Sequence, residues 1–305
     1  MDCFEAVIRD IRRDLPDVEL REYEPMFKHT SFRIGGPARL MALPGGLQQA
    51  QALIRAAQNY DVPTFVIGSG TNILPPDGQL NALIIKTTPG LGVLQIVGTK
   101  LIAAAGVSLK KAAVRAQQEG LSGLEFSYGI PGSVGGAVFM NAGAYGGEMK
   151  DVVLDVEYID DFGEHMLAVG KTLGFSYRRS MFSDKRYLIT AVRMQLKRDD
   201  PEAIRERMNE LEERRRASQP LDLPSAGSAF KRPEGGYAAA LIEKAGLKGY
   251  RIGGAQVSPK HAGFIVNTGG ATAGDVLELM RYVRGRVYAA SGILLEPEIR
   301  VLHDG

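Results

Sequence analysis

Residues 129–147 read GIPGSVGGAVFMNAGAYGG, and seven of these nineteen are glycine. Ser133, Asn141 and Tyr145 are the polar side chains of the stretch, so the backbone itself must be the functional surface. Glycine lets a chain approach a ligand closely and expose its N–H groups, and clustered N–H groups cradle phosphate. Residues 66–74, VIGSGTNIL, have the same character: a strand-like run turns through Gly68-Ser69-Gly70 and returns through Thr71 and Asn72 to apolar residues. One such loop reads as a tight turn, whereas two in one chain point to a pyrophosphate.

Three further segments carry polar side chains among small or apolar neighbours. In Ser176-Tyr177-Arg178-Arg179-Ser180-Met181-Phe182 a guanidinium could bind a carboxylate through two hydrogen bonds, or be an ordinary surface charge. In PSAGSAFKRP, residues 224–233, Ser228 could donate a proton, or serve as a capping or turn serine. It is not a nucleophile elbow, because Ala229 and Phe230 stand where that motif has any residue and then glycine. In LEPEIR, residues 295–300, alternation puts Glu296, Glu298 and Arg300 on one face of a strand. A glutamate of that face turned to a cleft would be an acid or a charge stabiliser; otherwise the face is merely polar.

His29, His165, His261 and His303 are scattered, with no His-x-x-x-His or Cys-x-x-Cys spacing, which predicts no protein-bound metal. His261 sits where a polar loop meets an apolar strand and faces either a ligand or the interior. Arg214-Arg215-Arg216 reads as a solvated helix end, with contact to a ligand phosphate as the alternative.

The elements that must position these residues fall into three groups. A short amphipathic helix over 2–14 precedes a strand at 39–43, a helix at 47–60 and a strand at 64–67, an alternation that indicates an α/β unit. From 81 to 200 short β-rich runs dominate, interrupted by a helix at 108–119 with a serine cap and a closing glycine. A charged helix over 202–216 follows, then helices at 237–244 and 272–291 and a last strand at 294–302, expected to return to the first group. The predicted domains are 1–88, 89–200 and 201–305.

Composition narrows the class. With 305 residues, 45% hydrophobic and 24% charged, the chain has the make-up of an ordinary soluble protein. Lys+Arg 37 against Asp+Glu 35 gives a formal charge of +2 with dispersed basic residues, which argues against a nucleic-acid partner. Early acids and no apolar h-region argue against a signal peptide, and no apolar run is long enough for a membrane span. The single cysteine, Cys3, allows no disulfide framework, so a cytoplasmic compartment is expected.

Taken in order, TSFRIGGP at 30–37, GSGTN at 68–72, GIPGSVGGAVFMNAGAYG, Tyr177-Arg178-x-Ser180-x-Phe182, PSAGSAFKRP, QVSPKHAGFIVN at 256–267 and LEPEIR resemble the UDP-N-acetylenolpyruvoylglucosamine reductase family over about residues 27 to 300. The resemblance implies an α+β chain of three domains: a vanillyl-alcohol-oxidase type FAD-binding fold of two α/β subdomains, then a C-terminal α+β substrate domain. The chain accordingly lacks a clean strand-GxGxxG-helix opening. It also implies NADPH-dependent, FAD-mediated reduction of the enolpyruvyl ether of UDP-N-acetylglucosamine to UDP-N-acetylmuramate in bacterial peptidoglycan synthesis.

By motif, Arg178 and Glu298 would polarise the substrate carboxylate and stabilise the enolic intermediate, while Ser228 would protonate C2 after the flavin N5 delivers hydride to C3. Neighbouring Lys231 is expected to help stabilise the Ser228 alkoxide. The cofactor would be held by Gly68, Ser69, Gly70, Thr71 and Asn72 in one loop and Gly132, Ser133, Gly135, Ala142 and Gly143 in the other. No His or Cys stands in either loop, so the FAD is expected to be non-covalent. Tyr177, Arg232 and His261 would line the substrate site, although some relatives have asparagine and glutamine at the last two positions. The short segment between Phe182 and Pro201 leaves no room for the tyrosine-bearing loop of one branch, so the chain resembles the shorter branch. A monomer without membrane contact is expected. Another FAD-dependent oxidoreductase of the same fold, or a flavin-binding module without chemistry, are the alternative readings.

Overall fold

The computed structural model describes residues 2–303. They divide into two compact units: residues 2–24, 39–69 and 81–213 form the first, and residues 25–38, 70–80 and 214–303 the second. The expected boundaries at 88 and 200 therefore differ from the observed ones. Two short excursions of the N-terminal region belong with the C-terminal unit, and the later division falls inside the charged helix Pro201–Ser218.

In the first unit, helix Cys3–Asp14 starts at an Asp2 cap that accepts the Phe4 N–H, and buries Phe4, Val7, Ile8 and Ile11. It packs with helix Leu47–Asn59 beside a four-stranded sheet of order Glu19–Pro25, Pro37–Leu43, Leu80–Lys86 and Thr64–Ile67. The last two strands are parallel, in register Val66 to Ile85. Leu83, Ile84 and Ile85 are all fully buried, the continuous apolar run expected of a strand covered on both faces. A second sheet is antiparallel, in order His165–Val169, Val153–Ile159, Leu188–Gln195, Lys100–Ala104 and Leu94–Val97. Helix Leu109–Gln118 starts at the expected Ser108 cap, whose side chain accepts the Lys111 N–H.

The second unit has an antiparallel sheet of order Ser225–Ser228, Phe264–Asn267, Ala255–Val257 and Arg251–Ile252. Helices Ala238–Lys244 and Ala273–Ser291 contribute Ile242, Val276, Leu279 and Val283 to its core, joined by Phe32, Ile34 and Leu74 from the two excursions. The long helix opens on a reciprocal Thr272–Asp275 capping box and closes on Gly292 in the left-handed conformation. The expected strand 294–302 is regular only at Arg300–Val301, which pairs in parallel with Ile73–Leu74. Pro297, which has no N–H to give to a ladder, keeps the preceding residues irregular. Among the described residues no helix is long and apolar enough to cross a membrane.

Candidate active site

The two glycine loops meet in the first unit. A Cβ added to Gly68 would fall 2.0 Å from Ser133 Oγ, and one added to Gly135 would lie 2.7 Å from Ala105 Cβ. Gly68 thus packs directly on the Ser133 side chain of the second loop, and the absence of a Cβ at Gly68 and Gly135 leaves backbone close to the surface there, an arrangement that fits a group bound by N–H donors. Ser133 is fixed as the cap of helix Val134–Phe139, accepting the Gly136 N–H at 3.3 Å. Gly70 lies in the second unit, with φ +66 and room for a Cβ only 1.9 Å from the His29 carbonyl. Thr71 and Asn72 continue that loop toward Ile73–Leu74. Ala142 and Gly143 follow the helix, Ala142 buried and its N–H given to Ala137 O at 2.8 Å.

Arg178 also belongs to the first unit. It is the second central residue of a tight turn closed by two hydrogen bonds between Ser176 and Arg179. Its φ of +55 is a conformation that costs a non-glycine residue about 1–2 kcal/mol. Surrounding bonds hold it there: Asn141 Nδ2 donates to Ser176 O at 3.0 Å, and Ser180 Oγ donates to Phe139 O at 2.7 Å. The guanidinium donates to Gly143 O at 3.3 Å and lies 5.2 Å from the centre of the exposed Tyr177 ring. The turn sets the arginine against the backbone of the 129–147 loop, so the residue expected for the substrate and one expected for the cofactor, Gly143, are neighbours.

In the second unit the structure brings Ser228, Glu298 and His261 together. Ser228 ends strand Ser225–Ser228, in register with Phe264, where a turn serine is the ordinary reading of its small neighbours. The Glu298 N–H donates at 2.9 Å to the carbonyl of Ala229, and the Ala229 N–H donates at 2.8 Å to Gly263 O. Leu295 and Ile299 are buried while Glu296 and Arg300 are exposed and Glu298 is half-buried, as the alternation predicted.

His261 is half-buried, its ring edge-on to Phe264, and its Nδ1 accepts the Gly263 N–H at 3.2 Å. That bond assigns the ring proton to Nε2. Burial, and then the charge of Lys248, hold His261 below the usual histidine range, so it is a neutral donor rather than a cation. Arg232 is exposed and stacked on Tyr237, 3.8 Å from the ring centre.

Two expectations change. Lys231, expected beside the serine, is ion-paired with the exposed Glu296. The arginine run is not uniformly solvated: Arg215 is 9% exposed, with Nη1 to Gln219 Oε1 at 3.3 Å. One tie escaped the sequence altogether: Asn72 Nδ2 donates to the Glu298 carbonyl at 3.1 Å across 226 positions. No local pattern signals a pairing that distant.

Comparison with known proteins follows the same division. A family model described as an FAD binding domain matches residues 38–167, and one described as the C-terminal domain of UDP-N-acetylenolpyruvoylglucosamine reductase matches residues 219–302. The chain is 45% identical to the UDP-N-acetylenolpyruvoylglucosamine reductase of Caldanaerobacter subterraneus subsp. tengcongensis, over 98% of this chain and 99% of that one. It is 43% identical to that of Alkaliphilus oremlandii, over 99% and 98%. The crystal structure of the Thermus caldophilus enzyme superposes with a TM-score of 0.80 at 36% identity, covering 93% of this chain and 98% of that one. A 4-ethylphenol oxidase from Gulosibacter chungangensis, 16% identical with a TM-score of 0.50 over 65% of this chain and 43% of its own, shares the fold. With two glycine loops that meet at Gly68 and Ser133, a serine and a glutamate held on adjoining peptides in the second unit, and these relatives along nearly its whole length, the chain belongs to the UDP-N-acetylenolpyruvoylglucosamine reductase family of FAD-binding oxidoreductases.

Proposed function

We propose that Arg178 grips the carboxylate of the substrate, that Ser228 gives a proton to C2, and that Glu298, as the neutral acid, donates a hydrogen bond to the negative charge that develops between the two events. The reaction is the family's: NADPH reduces the enolpyruvyl ether of UDP-N-acetylglucosamine to UDP-N-acetylmuramate, in peptidoglycan synthesis. FAD, when bound, passes a hydride from NADPH to C3 of the enolpyruvyl double bond.

The chain's own residues handle the charge and the proton. Addition of hydride at C3 pushes an electron pair toward C2 and the carboxylate conjugated to it. A guanidinium carried on a turn fixed by surrounding hydrogen bonds would receive that charge through two parallel bonds, the planar fork matching a carboxylate. The double bond is used up when the Ser228 hydroxyl transfers its proton to C2, and the serine regains a proton from solvent. The observation that carries this reading is the hydrogen bond from Glu298 N–H to Ala229 O, which places the glutamate one peptide from the serine.

Tyr177, Arg232 and His261 are read as substrate contacts, with His261 offering Nε2–H as a neutral donor. Gly68 to Asn72 and Gly132 to Gly143 are read as the non-covalent cofactor cradle. The protein is further read as a cytoplasmic monomer.

The purified protein should be yellow and should oxidise NADPH faster when the enolpyruvyl sugar is added; a colourless protein, or one indifferent to the sugar, removes this reading. Within it, Arg178→Lys keeps the charge and loses the planar two-point grip. Sugar-dependent turnover should fall about tenfold or more while bound flavin absorbance stays unchanged, since geometry rather than charge is lost. Parent turnover in this variant would take Arg178 out of the active site.

A further inference from the structure

We propose that Asn72 is a positioning residue, which holds the backbone of Glu298 in register with the cofactor loop and acts on the reaction through that glutamate. The proposal rests on the reading of Glu298 as the charge-stabilising group. Glu298 is fixed by both of its backbone polar groups, and by two different segments. Its N–H donates to Ala229 O, beside Ser228, at 2.9 Å, and its carbonyl accepts from Asn72 Nδ2 at 3.1 Å.

Each side is reinforced by main-chain bonds. On the serine side Lys231 N–H donates to Glu296 O at 2.9 Å. On the loop side Arg300 N–H donates to Asn72 O at 3.0 Å and Leu302 N–H to Leu74 O at 2.9 Å. On the loop side the hydrogen bond from the Asn72 side chain depends on residue type, unlike these main-chain bonds. The main-chain bonds survive any substitution at position 72, so the pairing of Arg300–Val301 with Ile73–Leu74 persists when the side-chain tie is cut.

The chemistry requires an amide. Its N–H donates to the Glu298 carbonyl, whereas an aspartate of the same shape sets a negatively charged acceptor against it, and alanine leaves the carbonyl without this donor. Loss of the tie frees the Glu298 peptide to rotate, and a misplacement of about 1 Å at a reacting group can cost about a hundredfold in rate. Asn72 follows directly on Gly68 to Thr71, so the loop that meets the cofactor is also the loop that sets the glutamate.

The test is a double-variant cycle, with every protein saturated with FAD and the rate of flavin reoxidation by the enolpyruvyl sugar as the readout. In the parent chain, Asn72→Asp should slow reoxidation about tenfold or more. In a Glu298→Gln background it should add less than about twofold, because residues acting as a unit are not additive. Losses that multiply overturn the proposal, and a parent-like rate in Glu298→Gln overturns the reading of Glu298 on which it stands.

A second readout requires neither flavin nor turnover. Deuterium uptake by the 294–302 peptide of the FAD-free protein reports local opening, and should rise about threefold or more in both Asn72→Asp and Asn72→Ala. Unchanged uptake overturns the positioning role whatever the kinetics show. Raised uptake with multiplying kinetic losses shows a tie that does not serve the chemistry, and overturns the proposal as well.

Discussion

Gly135, Gly143 and Gly147 of the 129–147 loop and the glycines of the 227–249 segment face opposite surroundings. A Cβ on Gly135 would press on Ala105, one on Gly143 would lie 2.6 Å from both Glu148 Cβ and Gly147 O, and one on Gly147 would strike the ring of Phe126. On Gly227, Gly235, Gly236, Gly246 or Gly249 it would meet nothing within 4 Å. At those three positions a hydrogen is all the packing admits, and in the proposed function the cofactor is met there by backbone. In the second there is open space around the glycines, and the proposed chemistry belongs to side chains placed by strand pairing. One region is therefore vulnerable to an added carbon atom, the other to a removed oxygen.

Removing that oxygen should have the largest effect. Ser228→Ala should slow reoxidation of the reduced flavin by the sugar about a hundredfold to ten-thousandfold, the usual worth of general acid catalysis. Reduction by NADPH should change little, and Ser228→Cys should recover part of the loss. Stopped-flow absorbance resolves the two halves; equal slowing of both would make the serine an organiser of its strand and erase the contrast between the regions.

Adding a carbon should have a moderate effect, confined to one region. Gly135→Ala should cost about 1–3 kcal/mol of stability, because Ala105 is backbone-anchored and cannot yield, and flavin affinity should fall with it. Gly236→Ala, whose glycine has an ordinary φ and open surroundings, should stay within about 0.5 kcal/mol. Similar denaturant midpoints for the two variants would show that the clash is relieved by backbone movement.

The smallest effect concerns His261, an internally bonded ring at the edge of the open region. Burial holds its folded value below the ordinary 6.5. As pH falls, the unfolded chain takes up this proton first. The contribution of His261 to stability is therefore complete above the unfolded value and is lost as pH falls toward the folded one. His261→Gln should flatten the decline of stability below about pH 6.5. An equally steep decline in the variant would assign the pH dependence to other groups.

The helices were legible because their signals are local. Asp2, Ser108 and Thr272 cap where a short polar side chain can take the first free N–H, and Phe4, Val7, Ile8 and Ile11 recur on one face. The strand Ser225–Ser228 was opaque for the opposite reason. Its small residues carry little strand preference, and Phe264–Asn267 imposes the extended form from elsewhere in the chain. Alternation in LEPEIR correctly sorted buried from exposed residues, yet could not show that Pro297 confines regular pairing to Arg300–Val301. The ion pair of Lys231 with Glu296 and the tie of Asn72 to Glu298 depend on pairings over 65 and 226 positions, beyond the reach of any spacing rule. The assignment of the remaining site residues rested on motif, and the structure adds what Arg178, Arg232 and His261 touch.

The two excursions of the N-terminal region into the second unit have a consequence for biosynthesis. Phe32, Ile34 and Leu74 emerge from the ribosome early, but the core that covers them is supplied by residues from Ala226 to Ile299. Until residues 226–299 have been translated, three large apolar side chains await partners that do not yet exist, and the parallel partner of Ile73–Leu74, Arg300–Val301, follows later still. Such delayed closure lengthens the exposure of sticky nascent surface and favours chaperone attendance. A ribosome stalled before residue 226 should thus display a chain whose first unit can acquire protease resistance, while residues 25–38 and 70–80 remain open to cleavage.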